Sequence, residues 1–349
     1  MLDFIKRAFR KTPAKLYGLD HAVLNIQLPP QSMWMNVGYW EHTNNFPEAC
    51  EALLEQVVTT ALSTEKAPSV RILDVGCGCG DQSLYLQKTL RASSPTSRDP
   101  GNTSDPQVSK QRLRFRHSAT EAGSSSLLKL ESYIGITLEP IQAAFGSRRL
   151  KEMQRGSSDP QIPAKIFCAD AGNPSSWTGE LKESITTLET SSTGPKEEPN
   201  PSTWLLALDT MYHFRPTRLP LLSYAQKNLQ ANLMAFDLVM SDDIPWHQKL
   251  LLRVLCWLTN TPFANLVSRS EYVDMLVSAG YDRAQIEIRD VTKFCFRGLA
   301  DFIDRQVEEG VPYGLKMGKF RVARRMFAWW ARGDIVRGVI VVARGKKEE

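Results

Sequence analysis

At 349 residues the chain is long enough to bury a full core without disulfide or metal staples; with 42% hydrophobic and 23% charged residues it resembles neither a disordered chain nor a membrane bundle. The 43 Lys plus Arg against 38 Asp plus Glu leave a net charge of +5, spread too thinly to mark a nucleic-acid partner. The longest apolar run, Leu250 to Leu258, is interrupted by Arg253 and falls well short of the roughly 20 residues that span a bilayer.

In chain order, residues 1–34 read as a basic amphipathic extension. Leu2, Ile5, Ala8 and Phe9 share one helical face and Lys6, Arg7, Arg10 and Lys11 the other. The extension lacks the continuous apolar stretch of a secretory signal. Packing on the domain, anchoring at a membrane surface and mitochondrial import all remain open for it. The six cysteines, Cys50, Cys77, Cys79, Cys168, Cys256 and Cys295, are scattered, with no pair of C-x-x-C motifs. That pattern predicts no metal and a reducing, cytoplasmic environment.

Residues 35–345 read as one domain. Short apolar runs predict strands at Val70 to Val75, Tyr133 to Leu138, Ala164 to Ala169, Trp204 to Leu208, Leu233 to Met240, Gln285 to Val291 and Val336 to Arg344. Helical patterns fill the gaps, including Ser83 to Leu90, a segment from Ser270 closed by Gly280, and Lys319 to Arg332. This alternation predicts an α/β fold with a parallel sheet covered on both faces. Ser-, Thr-, Pro- and Gly-rich stretches at about 91–126, 155–163 and 182–202 have no apolar period and read as disordered insertions. The apolar run after Asp242 predicts a helical lid at about 242–266. In the turn Gln230-Ala231-Asn232, Asn232 is the residue expected to take left-handed geometry.

The chemistry concentrates at strand ends. The first predicted strand runs into Gly76-Cys77-Gly78-Cys79-Gly80 and then into a helix. Such a turn lets the backbone close tightly on a ligand beside the unpaired N–H groups of a helix N-terminus, and so points to a nucleotide-like cofactor. On the glycine loop alone an NAD(P)-dependent oxidoreductase stays open. That class wants G-x-G-x-x-G and an acid about 20 residues on, a spacing this chain does not have. Cys77 and Cys79 read as small residues tolerated between crowded glycines.

With Asp74 two residues before Gly76, the D-x-G-x-G-x-G arrangement resembles motif I of the class I S-adenosylmethionine (SAM) methyltransferases. The resemblance implies that Gly76, Cys77, Gly78 and Gly80 cradle the cofactor. It also implies that Asp74 holds the loop and, directly or through water, the amino group of the methionine moiety. Tyr133 to Gln142, YIGITLEPIQ, is similar to the G-I-T-L-S-x-x-Q segment of small-molecule methyltransferases of the γ-tocopherol, sterol and cyclopropane-synthase-like groups. Many class I enzymes grip the ribose with an acid there; this chain has Thr137, so Thr137, Gln142 and the backbone at Leu138 would substitute. Met35 to Trp40 resembles the N-x-G-Y-W segment that closes over the methionine end in the same enzymes. This implies a contact from Tyr39, with core packing as its alternative and as the reading for Trp40.

Phe167 to Ala171 matches the family's F-x-x-x-D-A, which implies that Asp170 accepts from the adenine amino group and that the Ala171 N–H meets the ring. A helix-capping Asp170 is the alternative. Leu206 to Phe214 lies where the family places residues facing the transferred methyl group. His213 is the candidate general base, since a neutral imidazole suits proton removal from an acceptor; a buried structural histidine is the alternative. Asp209 is expected at the cofactor or as strand-end support, and Tyr212 as a substrate wall. Asp242 and Trp246 are expected on the substrate side of the lid, with Asp242 as a helix cap otherwise.

The resemblance covers about Met35 to Gly280. It implies a Rossmann-like class I methyltransferase fold, a seven-stranded mostly parallel sheet with helices on both faces and the last strand reversed by a hairpin. The implied activity is SAM-dependent methylation, at N, O or C, of a hydrophobic or amphipathic small molecule, because the lid and C-terminal segments are aromatic. The terminal amphipathic helices leave a peripheral membrane contact open, and nothing sets an oligomeric state. A non-catalytic SAM-binding scaffold is the second reading, motivated by Thr137, by the absence of the family's P-G-G turn before strand five and by the insertions.

Overall fold

The computed structural model describes residues 28–65, 67–90, 128–156, 162–189, 200–258, 261–315, 318–333 and 335–346. Residues 1–27, the 91–126 stretch, residues 157–161 and residues 190–199 lie outside them, and with them most of the expected N-terminal extension.

Helix α1 (Phe46–Leu62) opens the fold, its N-terminus capped by the Asn45 side chain, which accepts from the Glu48 N–H at 3.1 Å. There follow β1 (Ser69–Val75), α2 (Asp81–Thr89), β2 (Lys129–Thr137), α3 (Pro140–Arg155), β3 (Ala164–Cys168), α4 (Gly179–Glu189), β4 (Ser202–Leu208), α5 (Leu219–Leu229), β5 (Asn232–Met240), α6 (Trp246–Leu258), α7 (Arg269–Ala279), β6 (Tyr281–Asp290), α8 (Thr292–Gly310), α9 (Gly318–Gly333) and β7 (Val336–Gly345). The seven strands form one sheet in the order β3-β2-β1-β4-β5-β7-β6. All neighbours are parallel except β7, which runs antiparallel to both β5 and β6.

The central strands are apolar on both faces because both are covered. In β1 Ile72 points into one core and Leu73 into the other; in β4 Leu206 and Leu205 do the same. One core packs α1, α2, α3, α8 and α9 against the sheet, the other α4, α5 and α7. The sheet reverses between β1 and β4, so the crevice at the carboxyl ends of these strands is the natural ligand position of an open α/β fold.

Several expectations need correction. β7 is reversed, but not by a hairpin: α8 and α9 separate it from β6, and it starts at the carboxyl end of the sheet where β6 finishes. The 182–202 stretch is helical through Glu189, and Leu181, Ile185 and Leu188 bury the 3.6-period face that its polar composition hides. Strand β2 begins at Lys129 and β6 at Tyr281, each four residues early. In β6 a register irregularity between Tyr281 and Ile286 carries exposed residues that break the apolar alternation. Helix α7 starts at a capping box of Ser268 and Glu271 rather than at Ser270, and ends on Gly280 as expected. Before β5 it is Gln230 that adopts left-handed geometry, φ +49°, while Asn232 pairs as the first strand residue.

Candidate functional site

The glycine turn connects β1 to α2 at the carboxyl edge of the sheet. Gly76 has φ +77°, and a Cβ there would overlap the Thr210 side chain from the end of β4. Gly78, φ +54°, faces Met35, whose Cε would lie 2.5 Å from an added Cβ. These two positions require glycine, one because β4 presses on the turn and the other because a strap from the N-terminal side crosses it. Between turn, strap and strand end lies a cleft of about 80 Å³, lined by Met33 to Asn36, Gly76 to Cys79, Asp81, Gln82 and Leu208 to Thr210.

The strap is clamped at four points. Asp81 accepts from the Met33 N–H at 3.1 Å, and its two oxygens also take a bidentate pair from Arg149 of α3 at 2.8 and 3.0 Å. Arg149 donates onward to the Gln31 carbonyl at 2.8 Å and to the Cys79 carbonyl at 3.0 Å, tying strap to turn. Gln142 Nε2 approaches Met35 Sδ at 3.7 Å. Asp209, itself at a positive φ of 58°, accepts from the Val37 N–H at 2.8 Å with one oxygen and from the Tyr212 hydroxyl at 2.9 Å with the other. Asp81 and Arg149 were not expected from sequence. Asp81 directly follows Gly80, but Arg149 lies mid-helix in α3 with no local signal.

Asp74 is fully buried and does not line the cleft. Its carboxylate accepts from Gln82 Nε2 at 2.6 Å and from the Tyr133 hydroxyl, which also meets Ser83 Oγ at 2.6 Å. Burial raises its pKa to about 7, against these two hydrogen bonds. Asp74 thus ties β1, β2 and α2 together beneath the turn, which is the loop-holding part of its expected role. The structure places Tyr39 in the core, the alternative reading of it. Its ring packs on Phe294 at 4.7 Å and its hydroxyl donates to Glu41 at 2.8 Å, so it belongs to the core beside Trp40.

At the end of β2 the Thr137 hydroxyl donates to Gln142 Oε1 at 2.8 Å, and Leu138 is exposed. After β3, Asp170 Oδ1 accepts from the Gly172 N–H at 2.8 Å, and Ala171 is buried behind it. These residues surround the same edge of the sheet as the glycine turn.

A second, apolar cavity of about 200 Å³ adjoins the β4 end from the other side. Leu252, Leu255 and Cys256 of α6 and Met326, Phe327 and Trp330 of α9 form its walls, with Val37, Leu238 and Leu266. His213 and Tyr212 stand in it on a 3₁₀ turn, Met211–His213, their rings 4.2 Å apart. Burial lowers the His213 pKa below its ordinary 6.5, the negative charge of Asp237 opposing this, so the imidazole is neutral at pH 7. Tyr212 and His213 both line this cavity. Asp242 and Trp246 do not: both are exposed and neither lines the cavity, which α6 reaches with its opposite face.

The His213 turn rests on a buried polar network. Asn265 Nδ2 donates to the Tyr212 and Phe214 carbonyls at 3.2 and 2.6 Å. The Asn265 carbonyl accepts from Arg218, which is fully buried and ion-paired with Asp237. Tyr272 of α7 donates to the same carboxylate at 2.9 Å.

No protein-family model matches the chain, and no curated protein matches it. Solved structures match in architecture. The (4+2)-cyclase SpnF aligns over 96% of this chain and 96% of its own at 16% identity, TM-score 0.51. Mycolic acid cyclopropane synthase CmaA1, complexed with SAH and CTAB, aligns over 93% and 94% at 13% identity, TM-score 0.53. Phosphoethanolamine N-methyltransferase 2 from Haemonchus contortus, complexed with S-adenosyl-L-methionine, aligns over 85% of this chain and 53% of its own at 10% identity, TM-score 0.51. Shared by proteins named for cyclisation, cyclopropane synthesis and N-methylation, the architecture is the Rossmann-like class I methyltransferase fold, and the chemistry must be argued from the site.

Proposed function

We propose that this chain transfers a methyl group from S-adenosylmethionine to a hydrophobic or amphipathic small molecule, at an N, O or C acceptor. One observation carries the reading: a glycine-lined cleft and an apolar cavity are lined by neighbouring residues of the same two chain segments. Asn36 and Thr210 face the cleft, whereas their near neighbours Val37, Tyr212 and His213 face the cavity. A cofactor on one side and an apolar acceptor on the other would meet across that partition.

The glycine turn fits an adenosyl ligand, since its backbone is bare of side chains at Gly76, Gly78 and Gly80 and opens onto the N-terminus of α2. In this reading Gly76 to Gly80 and Asp209 hold the methionine moiety, Thr137, Leu138 and Gln142 the ribose, and Asp170 and Ala171 the adenine. The cleft of about 80 Å³ holds only the methionine end of such a ligand, the ribose and adenine positions at Thr137, Leu138 and Asp170 lying outside it. Bound SAM would supply the electrophilic methyl group and its own leaving group. The protein's part is to hold the acceptor against that methyl group, exclude water with α6 and α9, and take up the acceptor's proton on the neutral His213 imidazole.

The test is calorimetric titration with SAM, S-adenosylhomocysteine, NAD and NADP in parallel, followed by labelled methyl transfer to a panel of apolar acceptors. Binding of both adenosyl ligands without a nicotinamide response, then label in an apolar product, supports the reading. Absence of adenosyl binding overturns it. A non-catalytic adenosyl-binding scaffold is the second reading, favoured by Thr137 in place of an acid at the ribose position; binding without turnover on any acceptor would select it.

A further inference from the structure

Helix α6 is apolar on both sides. Its inner face closes the cavity, yet among the described residues its outer face has no cover: Trp246 is 77% exposed, Leu250 55%, Val254 46% and Trp257 79%. Spaced four, four and three residues apart, these side chains form one stripe along the helix. Leu251, 48% exposed, lies beside it. A water-facing helix does not ordinarily carry two tryptophans in such a row, whereas tryptophan, with its apolar ring and N–H, favours membrane–water boundaries. Among the described residues no helix is long and apolar enough to cross a membrane, so the stripe suits a surface and not a span.

Charge selects the surface. Lys249 and Arg253 flank the stripe, and α6 contains no Asp or Glu. Helix α9, the other wall of the same cavity, is also free of acids and presents Phe320 and Val322 beside Arg321 and Arg325, all four exposed. A second copy docked on this face would set cation against cation. Residues 1–27 are no better complement, with Lys6, Arg7, Arg10, Lys11 and Lys15 against Asp3 and Asp20. An anionic bilayer offers what neither does, an apolar boundary beneath negative headgroups.

We infer that the outer face of α6, assisted by α9, docks this protein on anionic membrane surfaces, with Trp246, Leu250, Val254 and Trp257 entering the headgroup boundary. The two helices that would touch the bilayer are those that wall the apolar cavity, so an amphiphile could pass from membrane to site without crossing water. The docking itself does not depend on methyl transfer.

The test uses the full chain, without cofactor, in co-sedimentation with vesicles of phosphatidylcholine alone and with about a third phosphatidylserine. Binding to the anionic vesicles is expected, weakened as salt is raised from about 0.1 to 0.5 M, with tryptophan emission quenched by brominated lipid. The double variant Trp246→Ser, Trp257→Ser should lose at least about tenfold in partition coefficient while its thermal unfolding is unchanged, because both side chains are exposed in the folded state. No sedimentation with anionic vesicles would overturn the inference. So would a double variant that binds like the parent, or a dimer seen by light scattering that the double variant abolishes, which would make a second copy the occupant. Because SAM is absent throughout, failure here leaves the methyl-transfer reading untouched, and failure of that reading leaves vesicle binding unaffected.

Discussion

The Asp209 carboxylate accepts a hydrogen bond from the backbone N–H of Val37 at 2.8 Å, joining residues 172 positions apart. This bond fastens the strap over the glycine cleft to the strand end that carries Tyr212 and His213. Asp209→Ala should release both Val37 and the Tyr212 hydroxyl. The expected cost is about 1–3 kcal/mol, read as a lower urea midpoint, together with reduced turnover in any methyl-transfer assay. An unchanged midpoint would show that the strap does not depend on this clamp.

Burial sets a pH dependence of stability. Asp74 and Asp209 both have pKa values raised to about 7, from an unfolded value near 3.9. Between those limits the folded state holds protons that the unfolded state has lost, so stability falls as pH rises from about 4 to about 7, by up to about 1.4 kcal/mol per pH unit for each group. Asp74→Asn should flatten this slope and be least harmful at high pH. Urea midpoints at pH 5 and pH 8 for parent and variant check it; an unaltered slope would remove Asp74 from the account.

The two glycines should respond unequally to alanine. At Gly78 the obstructing atom is the flexible end of Met35, so Gly78→Ala should cost little beyond left-handed strain, about 1–2 kcal/mol. At Gly76 the obstruction is the body of the Thr210 side chain, and Gly76→Ala should cost about 3 kcal/mol or more. Denaturant titration of both variants decides, and equal costs would contradict the geometry.

Arg218 and Asp237 form a buried pair, and removing one partner strands the other. Arg218→Met should destabilise by about 3–5 kcal/mol, with much of the loss recovered in Arg218→Met, Asp237→Leu. A double variant as unstable as the single one would show that the Asn265 carbonyl, also held by Arg218, matters more than the ion pair.

His213→Ala should leave SAM affinity nearly intact while turnover falls by roughly 10² or more. Since burial lowers the His213 pKa, the acid limb of the parent's rate profile should lie below pH 6.5 and vanish in the variant. Retained activity would make His213 structural.

Much of the architecture was legible because it is written locally. Short apolar runs located all seven strands, and the spacing of Asp74, Gly76, Gly78 and Gly80 located the turn. Roles of side chains were less legible. The residues around Tyr39 marked a loop that does lie over the site, but which way the ring turned depended on Phe294, far along the chain. Trp246 faces outward because α6 carries apolar side chains on two faces, and the sequence pattern alone does not say which of them is buried.

The sequence by itself determined the alternating α/β order and the glycine turn between strand and helix, since each rests on neighbours within a few positions. Only the tertiary structure decided that Asp81, Arg149 and Asp209 clamp one strap, that Asp74 lies beneath the turn instead of in the cleft, and that β7 returns through two helices. These outcomes depend on which polar groups meet once the sheet has formed, and a buried carboxylate must find its partners wherever the chain crossing places them.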